Sequence, residues 1–380
     1  MSKKSKKPQT YLAIDIGGHT IKYAVGIFAN GKLKVQGAYS EKLPPDVYEN
    51  GMIKNFEVLE QTLRNGIKHN KITEKKVVLT IESSEILKRE MVVPKVDKSD
   101  FIDMITYEVG QYLPIDVNNY VLQYKILGEE IVNEKEMNTI LLGAMPKDMA
   151  KQHFDLMKAC GLDPIAMDVH TNALSKLVEV YEQSSSVKRF NTVAYVDFGY
   201  QRIDVNIFEK GVNRLTRIIK MGTYEVDQQN ASQSDIELSE AEEQRMKFKD
   251  ESLIAIKKAY DAFNNLKHAH SLGEISEEEV EFKSAYSYTI FNHLEYIHSC
   301  LEEVDKVFKF YLSRSVENEI NQVLVYGGTA LCKDFDKIVQ EKLDMPCGLF
   351  DPTKQDFITL KTVNESPLNY INVFGALIRN

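Results

Sequence analysis

Several features of secreted and membrane proteins are missing from this sequence. Only four of its 380 residues are cysteines, and none of them forms a Cys-x-x-Cys pair, so a reducing cytosol is the expected setting. No apolar run approaches the roughly 20 residues that a membrane helix requires. The basic start of the chain, residues 1–8, lacks the apolar core of a signal peptide. We therefore expect a cytoplasmic protein with a disordered basic tail over residues 1–10.

Two catalytic motifs are absent as well. There is no Gly-x-x-x-x-Gly-Lys-Ser/Thr loop, which excludes a P-loop ATPase, and no Gly-x-Ser-x-Gly nucleophile elbow. The net charge of −9 argues against nucleic acid as the main partner. What remains is the composition of a soluble globular protein, with 43% hydrophobic and 27% charged residues. At this length the chain is expected to form two or more domains.

The most informative feature that is present is a stretch that occurs twice. Asp15 and Gly17 recur as Asp197 and Gly199, 182 positions later and without a gap. Each copy reads as an apolar strand, a turn carrying Asp-x-Gly, and a second, alternating strand. The repeat predicts a duplicated fold with a ligand in the cleft between the halves. The alternative is a pair of ordinary turns, in which each aspartate bonds its own backbone.

The residue types in these two turns suit a phosphorylated ligand. Glycine lets the backbone approach a ligand closely, and consecutive N–H groups in such a turn form an anion-binding nest. One aspartate on each side is able to order the water shell of a Mg²⁺ ion. A third glycine-containing turn, Gly327-Gly328, follows a strand predicted over Gln322–Tyr326. It indicates close backbone approach to the same ligand or, alternatively, a tight strand-to-helix turn.

A long helix is predicted in the second half of the chain. Apolar residues from Ile290 to Tyr311 follow a 4-3-4-3 spacing. This spacing fits a coiled-coil seam or, as we favour, one buried helix of the second domain.

Four segments resemble the actin, Hsp70 and sugar-kinase superfamily. Residues 14–22 resemble its first phosphate-binding segment and residues 197–202 its second. Residues 323–330 resemble its adenosine segment, and residues 372–376 its second connecting helix. Within this superfamily the chain is most similar to the PilM family of type IV pilus assembly proteins.

Further segments resemble the extra subdomain of the PilM family. They include residues 107–115, on a helix predicted over Ser99–Tyr112, and residues 143–148. Strands are expected beside that helix over Asn119–Leu127 and Asn138–Ala144, joined by a polar loop.

The resemblance implies an α/β, actin-like (ribonuclease H-like) fold, duplicated into two domains, with an inserted subdomain and a nucleotide cleft between the halves. The implied parts are domain 1 (subdomain 1A) over 11–85 and 145–190, subdomain 1C over 86–144, domain 2 (subdomain 2A) over 191–233 and 321–380, and subdomain 2B over 234–320.

The same resemblance implies ATP and Mg²⁺ as ligands, with Asp15 and Asp197 binding the metal through water. The residues that it assigns to the phosphates and the nucleoside are Gly17, Gly18, His19, Thr20, Lys22, Gly199, Tyr200, Gln201, Glu242, Arg245, Gly327, Gly328 and Thr329. Two of them depart from the family pattern: Tyr200 replaces a small residue, and Arg245 replaces a lysine. No catalytic residue is identified, and we expect at most slow ATP hydrolysis.

The implied function is a cytoplasmic scaffold of a type IV pilus or type II secretion assembly machine, and the implied process is twitching motility. The N-terminal cytoplasmic tail of a PilN-like membrane protein is expected to recruit it to the inner face of the cell membrane. The implied contact residues are Tyr107, Tyr112, Leu113 and Tyr124, although tyrosines also cap small cores. A pilus assembly ATPase is a further implied partner, and self-association is left open.

Two other functions on the same fold remain as alternatives. A sugar or small-acid kinase needs a general base that faces a second substrate, whereas residues 86–144 resemble the pilus subdomain. An FtsA-like cell-division filament protein is expected to carry an amphipathic membrane helix after its core. This sequence ends at Asn380, directly after its last predicted core helix.

Overall fold

The computed structural model describes residues 9–97, 99–112, 116–184, 190–272 and 288–379. The chain forms two compact units. Unit 1 comprises residues 1–13, 22–40 and 170–380, and unit 2 comprises residues 14–21 and 41–169. Most of the predicted basic tail, and residues 273–287 of the predicted subdomain 2B, lie outside the described residues. The domain bounds drawn from the sequence remain a prediction.

The described residues form the following strands and helices. The strands are β1 (Tyr11–Ile16), β2 (Thr20–Ala29), β3 (Lys32–Lys42), β4 (Tyr48–Glu49), β5 (Met52–Ile53), β6 (Lys76–Ile81), β7 (Leu87–Pro94), β8 (Tyr120–Val132), β9 (Lys135–Pro146), β10 (Asp163–Val169), β11 (Thr192–Phe198), β12 (Ile203–Glu209), β13 (Val212–Ile219), β14 (Gln322–Tyr326), β15 (Cys347–Leu349) and β16 (Ile358–Leu360). The helices are α1 (Phe56–His69), α2 (Phe101–Tyr112), α3 (Lys147–Ala159), α4 (His170–Gln183), α5 (Thr223–Ser234), α6 (Leu238–Lys247), α7 (Leu253–Ser271), α8 (Tyr288–Ser313), α9 (Phe335–Leu343) and α10 (Ile371–Leu377).

The sheets confirm the predicted duplication. One sheet has the order β16-β3-β2-β1-β6-β10 and another the order β13-β12-β11-β14-β15. In each, three strands that follow one another in sequence are continued by two strands from later in the chain. The added pairs, β6 with β10 and β14 with β15, are both parallel. The order β3-β2-β1-β6-β10 in the first sheet therefore matches the order β13-β12-β11-β14-β15 in the second.

The second and third strands of each copy are also joined by the same kind of hairpin turn. Asn30 and Gly31 join β2 to β3, and Lys210 and Gly211 join β12 to β13, all four with positive φ between 50° and 76°. Two successive residues of positive φ make the turn whose twist matches that of antiparallel strands. Both copies therefore close with the same two-residue hairpin turn.

The inserted segment forms a small layer of its own within unit 2. Its sheet has the order β7-β9-β8, and α2 packs on one face through Phe101, Ile105 and Val109. The polar loop predicted between the last two strands is wrong. Instead β8 and β9 run on to a two-residue turn at Asn133 and Glu134, both with positive φ. Strand β7 was not predicted; it has three charged residues in succession, Lys88 to Glu90.

The long helix of unit 1 is α8, and its apolar positions are buried. Each seam residue is at most 4% exposed, as measured for Ile290, Leu294, Ile297, Leu301, Val304, Phe308 and Tyr311. Helix α8 packs beside α5, α7 and α9 in the same unit. Burial among neighbours of its own chain confirms the buried helix and not the coiled-coil seam.

Candidate functional site

The first Asp-x-Gly turn lies between β1 and β2. The backbone N–H of Gly17 donates to the carbonyl oxygen of Thr20 at 3.0 Å. A Cβ on Gly17 would lie 3.1 Å from that oxygen, so a larger residue would strain the turn. Asp15, at the end of β1, is only 2% exposed. Its Oδ1 accepts a hydrogen bond from the Thr80 hydroxyl at 3.0 Å.

The second Asp-x-Gly turn, between β11 and β12, repeats this backbone geometry. The N–H of Gly199 donates to the carbonyl oxygen of Arg202 at 3.0 Å, and a Cβ on Gly199 would lie 2.9 Å from that oxygen. Both partners lie 182 positions after their counterparts in the first turn. Asp197 occupies the place of Asp15, but it is half-buried. The two turns are thus the same structure with different surroundings.

The Gly327-Gly328 turn packs directly against the second aspartate. Gly327 has a φ of +90°, and a Cβ there would lie 2.2 Å from Oδ1 of Asp197 and 2.8 Å from the carbonyl oxygen of Phe198. Only glycine tolerates both this conformation and this contact. A Cβ on Gly328, by contrast, would meet no atom within 4 Å. Thr329 follows, buried, at the start of a 3₁₀ turn.

Arg245 of α6, assigned to the nucleoside from the sequence, binds a buried aspartate. Its guanidinium donates to both carboxylate oxygens of Asp227 on α5, at 2.7 and 2.9 Å. Asp227 is 0% exposed. Burial disfavours the charged guanidinium, but the hydrogen bonds and charge of Asp227 raise the pKa of Arg245 above its ordinary value. The pair fixes α6 to α5.

Tyr200, the other departure from the family pattern, lies in the same region of unit 1. Its ring meets that of Tyr224 edge-on, with centroids 5.5 Å apart. Burial, followed by the charges of Asp227 and Glu242, raises the pKa of the Tyr200 phenol. The backbone of Tyr200 also fits closely over Gly222, where a Cβ would lie 2.2 Å from its carbonyl oxygen. The charge of Glu242 on α6 therefore acts on Tyr200 of the second turn.

The remaining predicted ligand residues are accessible in part. They are half-buried, a class that comprises Gly18, His19, Thr20, Lys22, Gln201 and Glu242. Within unit 1 the structure brings together the second turn, α6 and the Gly327-Gly328 turn. Sequence patterns missed two supporting residues, Thr80 and Asp227. Thr80 is the one hydroxyl-bearing residue of β6, but no local spacing links it to Asp15, and none links Asp227 to Arg245.

The predicted partner-binding residues fall into different surroundings. Tyr107 of α2 is 66% exposed. Tyr124 of β8 is half-buried, and its ring packs on Phe101 with centroids 4.5 Å apart. Leu113 lies outside the described residues, and the side chain of Tyr112 does as well. Tyr124 thus belongs to the core of the inserted subdomain, whereas Tyr107 faces solvent.

Several solved structures share this architecture. A chain of the "PilM-PilN type IV pilus biogenesis complex" superposes with a TM-score of 0.72 at 14% identity, covering 97% of each chain. The ethanolamine utilization protein EutJ from Carboxydothermus hydrogenoformans gives a TM-score of 0.50 at 12% identity, covering 99% of this chain and 91% of that chain. MreB5 of Spiroplasma citri gives 0.48 at 11% identity, covering 97% and 94%. The fold is that of the actin-like ATPases.

A family model identifies the family to which the chain belongs within this fold class. The family described as type IV pilus assembly protein PilM matches residues 13–251 and 265–372. Because the match covers most of the chain, the protein belongs to the PilM family, as the sequence motifs predicted. None of the helices in the described ranges is both long enough and apolar enough to span a membrane.

Proposed function

We propose that this protein binds ATP with Mg²⁺ through its two Asp-x-Gly turns and serves as a scaffold in type IV pilus assembly. The observation that carries the nucleotide proposal is the repeated Gly17–Thr20 and Gly199–Arg202 hydrogen bond. In both turns the glycine leaves open the space that a Cβ would fill. Each turn also places one carboxylate next to backbone N–H groups, a donor set that suits a phosphate with its metal.

The proposed roles of the residues are those that the superfamily resemblance implies. Asp15 and Asp197 hold water molecules of the Mg²⁺ shell, and the ion neutralises phosphate charge when it is bound. Gly17, Gly18 and Gly199 approach the phosphates through their backbone. His19, Thr20, Lys22 and Gln201 add side-chain contacts, and Glu242, Gly327, Gly328 and Thr329 contact the nucleoside. Arg245, held by Asp227, fixes the helix that carries Glu242.

The scaffold proposal rests on family membership and on the inserted subdomain. The structural relative is a chain of a PilM–PilN complex, and we propose a PilN-like cytoplasmic tail as the partner here. Strand β8 lies at an edge of the inserted sheet, and Val121 and Ile126 on it are 41% and 48% exposed. An extended tail can add to such an edge through main-chain hydrogen bonds, with alternate side chains on apolar positions. The protein would then work at the inner face of the cell membrane.

A titration tests the nucleotide proposal. The purified protein should bind ATP in the presence of Mg²⁺ and lose most of this affinity when EDTA removes the metal. Binding that is unaffected by EDTA would contradict the metal-linked site, and no binding at all would contradict the nucleotide proposal.

A deletion tests the scaffold proposal. Removing residues 86–144 and joining the ends should abolish co-purification with a single-span PilN-like membrane protein while sparing ATP binding. ATP binding serves as the control for folding. A deletion variant that binds ATP and still co-purifies would place the partner surface elsewhere.

A further inference from the structure

Thr80 lies beside Asp15, the aspartate of the first turn. It belongs to β6, which is flanked by β1 and β10 in its sheet, and it is 0% exposed. Its hydroxyl lies 3.0 Å from Oδ1 of Asp15 and 3.3 Å from the carbonyl oxygen of Ile14. A hydroxyl has one proton to donate. The shorter distance and the negative charge of the carboxylate favour donation to Asp15.

This hydrogen bond sets the orientation of the Asp15 side chain. A β-branched residue in a strand has few χ1 rotamers, so Thr80 offers its proton from a fixed place. With Oδ1 held, the carboxylate is restrained before any ligand arrives. The second aspartate is supported differently: in β14, Tyr326 is the backbone partner of Asp197, and Gly327 provides the space beside the carboxylate. The first turn therefore has a threonine hydroxyl on its carboxylate, at a strand position where the second turn has the tyrosine Tyr326.

We propose that Thr80 is a positioning residue, which orients the Asp15 carboxylate for the water shell of the nucleotide-bound Mg²⁺. The inference rests on the proposed nucleotide function. It assigns Thr80 no contact with the nucleotide. Its effect reaches the metal through Asp15 alone, so it should appear in the affinity for Mg²⁺ and not in metal-free binding.

The test compares Thr80→Val, which keeps the shape of the side chain, with Thr80→Ser, which keeps the hydroxyl. Thr192→Val is the matched control, because Thr192 is also buried (2% exposed) and begins β11, at the opposite end of that strand from Asp197. Each variant is titrated with Mg²⁺ at a fixed ATP concentration and with ATP in EDTA, and its thermal unfolding is recorded. Should Thr80→Val fail to fold, Thr80→Ala gives the same readout.

We expect Thr80→Val to weaken Mg²⁺ binding about tenfold, which corresponds to about 1.4 kcal/mol. Thr80→Ser and Thr192→Val should stay near the parent, although Thr192→Val lowers the unfolding temperature. A parent that binds Mg²⁺-ATP together with a Thr80→Val variant of equal affinity would overturn the inference alone. Loss of affinity in Thr80→Ser would also overturn it. A parent that binds no Mg²⁺-ATP would overturn both this inference and the proposed function.

Discussion

The two Asp-x-Gly turns have the same backbone and different supports. In unit 2 the carboxylate of Asp15 is buried and accepts a hydrogen bond from Thr80. In unit 1 the carboxylate of Asp197 is half-buried, and the absence of a side chain at Gly327 leaves room for it. Duplication has thus preserved the chain path while the side chains around it have diverged. The first carboxylate accepts a hydrogen bond from Thr80, and the second lies against a glycine that leaves room for it.

This difference means that equivalent positions should respond unequally to substitution. The hydrogen bond to Asp15 is lost when the Thr80 hydroxyl is removed, even if the replacement has the same shape. The space beside Asp197 is lost when a side chain is added at Gly327. The substitutions below use these two properties to separate the turns.

The largest effect is expected when the aspartates themselves are removed. Asp15→Ala and Asp197→Ala should each lower the affinity for Mg²⁺-ATP at least about thirtyfold, since charge-assisted and metal-linked interactions contribute roughly 2–3 kcal/mol. Calorimetric titration measures both. Asp163→Ala, at an exposed position of unit 2, is the control and should bind like the parent. If both variants bind ATP as the parent does, neither turn holds the metal.

The parent should also turn over ATP slowly, because none of the described residues has been identified as one that positions an attacking water. A steady-state assay checks this expectation. Transfer to a small substrate at a kinase-like rate of about 1–100 s⁻¹ would favour the kinase alternative over the scaffold.

The next effect concerns the space beside Asp197. Gly327→Ala forces a Cβ into positive φ and against the carboxylate, which should lower the free energy of unfolding by roughly 2 kcal/mol and displace Asp197 from its site. Denaturant unfolding and Mg²⁺-ATP titration measure the two consequences. Gly328→Ala is the matched control for the unfolding measurement, since a Cβ there meets no atom within 4 Å. Equal unfolding free energies of the two variants would show that the close approach at Gly327 has no consequence for stability.

The chain path of the turns could be predicted from sequence, and their supports could not. Asp15, Gly17, Asp197 and Gly199 repeat at one spacing, and a spacing is visible along the chain. The Thr80 bond joins residues 65 positions apart, and the Arg245 bond to Asp227 joins neighbouring helices. Such pairs depend on tertiary packing, which leaves no local pattern.

In the inserted subdomain, too, the sequence predicts only part of the structure, here the strands. The sequence predicts helix α2, the first part of β8 and the middle of β9. The residues of β8 and β9 next to the hairpin turn are mostly polar, and their sequence therefore indicates a loop. Main-chain pairing across the hairpin continues there regardless of side-chain polarity, so hydrophobic periodicity does not detect it.

Each unit contains a buried histidine, and the two differ in how they should affect stability at low pH. In unit 2, His153 lies 3.0 Å from the hydroxyl of Tyr48 and 2.8 Å from the carbonyl oxygen of Met149. In unit 1, neither ring nitrogen of His293 has a hydrogen-bond partner among the described residues. Burial, and then the charge of Arg245, lowers the pKa of His293 to about 3. The unfolded chain therefore binds this proton more readily than the folded one does.

Stability should accordingly be complete above about pH 6.5 and fall as the pH drops from there toward 3, by at most about 1.4 kcal/mol per pH unit from His293. His293→Leu removes the titration and two unpaired polar atoms. It should flatten the pH dependence of unfolding without lowering stability at pH 7. His153→Leu removes paired atoms and should be destabilised at pH 7. An unchanged acid slope in His293→Leu would contradict the assignment.

The smallest effect on partner binding is expected at the tyrosines of the inserted subdomain. Tyr107 is 66% exposed, so Tyr107→Ala should leave the unfolding free energy nearly unchanged. If its ring contacts the PilN-like tail, the same substitution should weaken tail binding by about 1 kcal/mol, or roughly fivefold. Tyr124 packs on Phe101, so Tyr124→Ala should instead destabilise the subdomain. Fluorescence titration with a labelled tail peptide and denaturant unfolding separate the two. Tail binding that is unaffected by Tyr107→Ala, in a variant that remains folded, would remove Tyr107 from the partner surface.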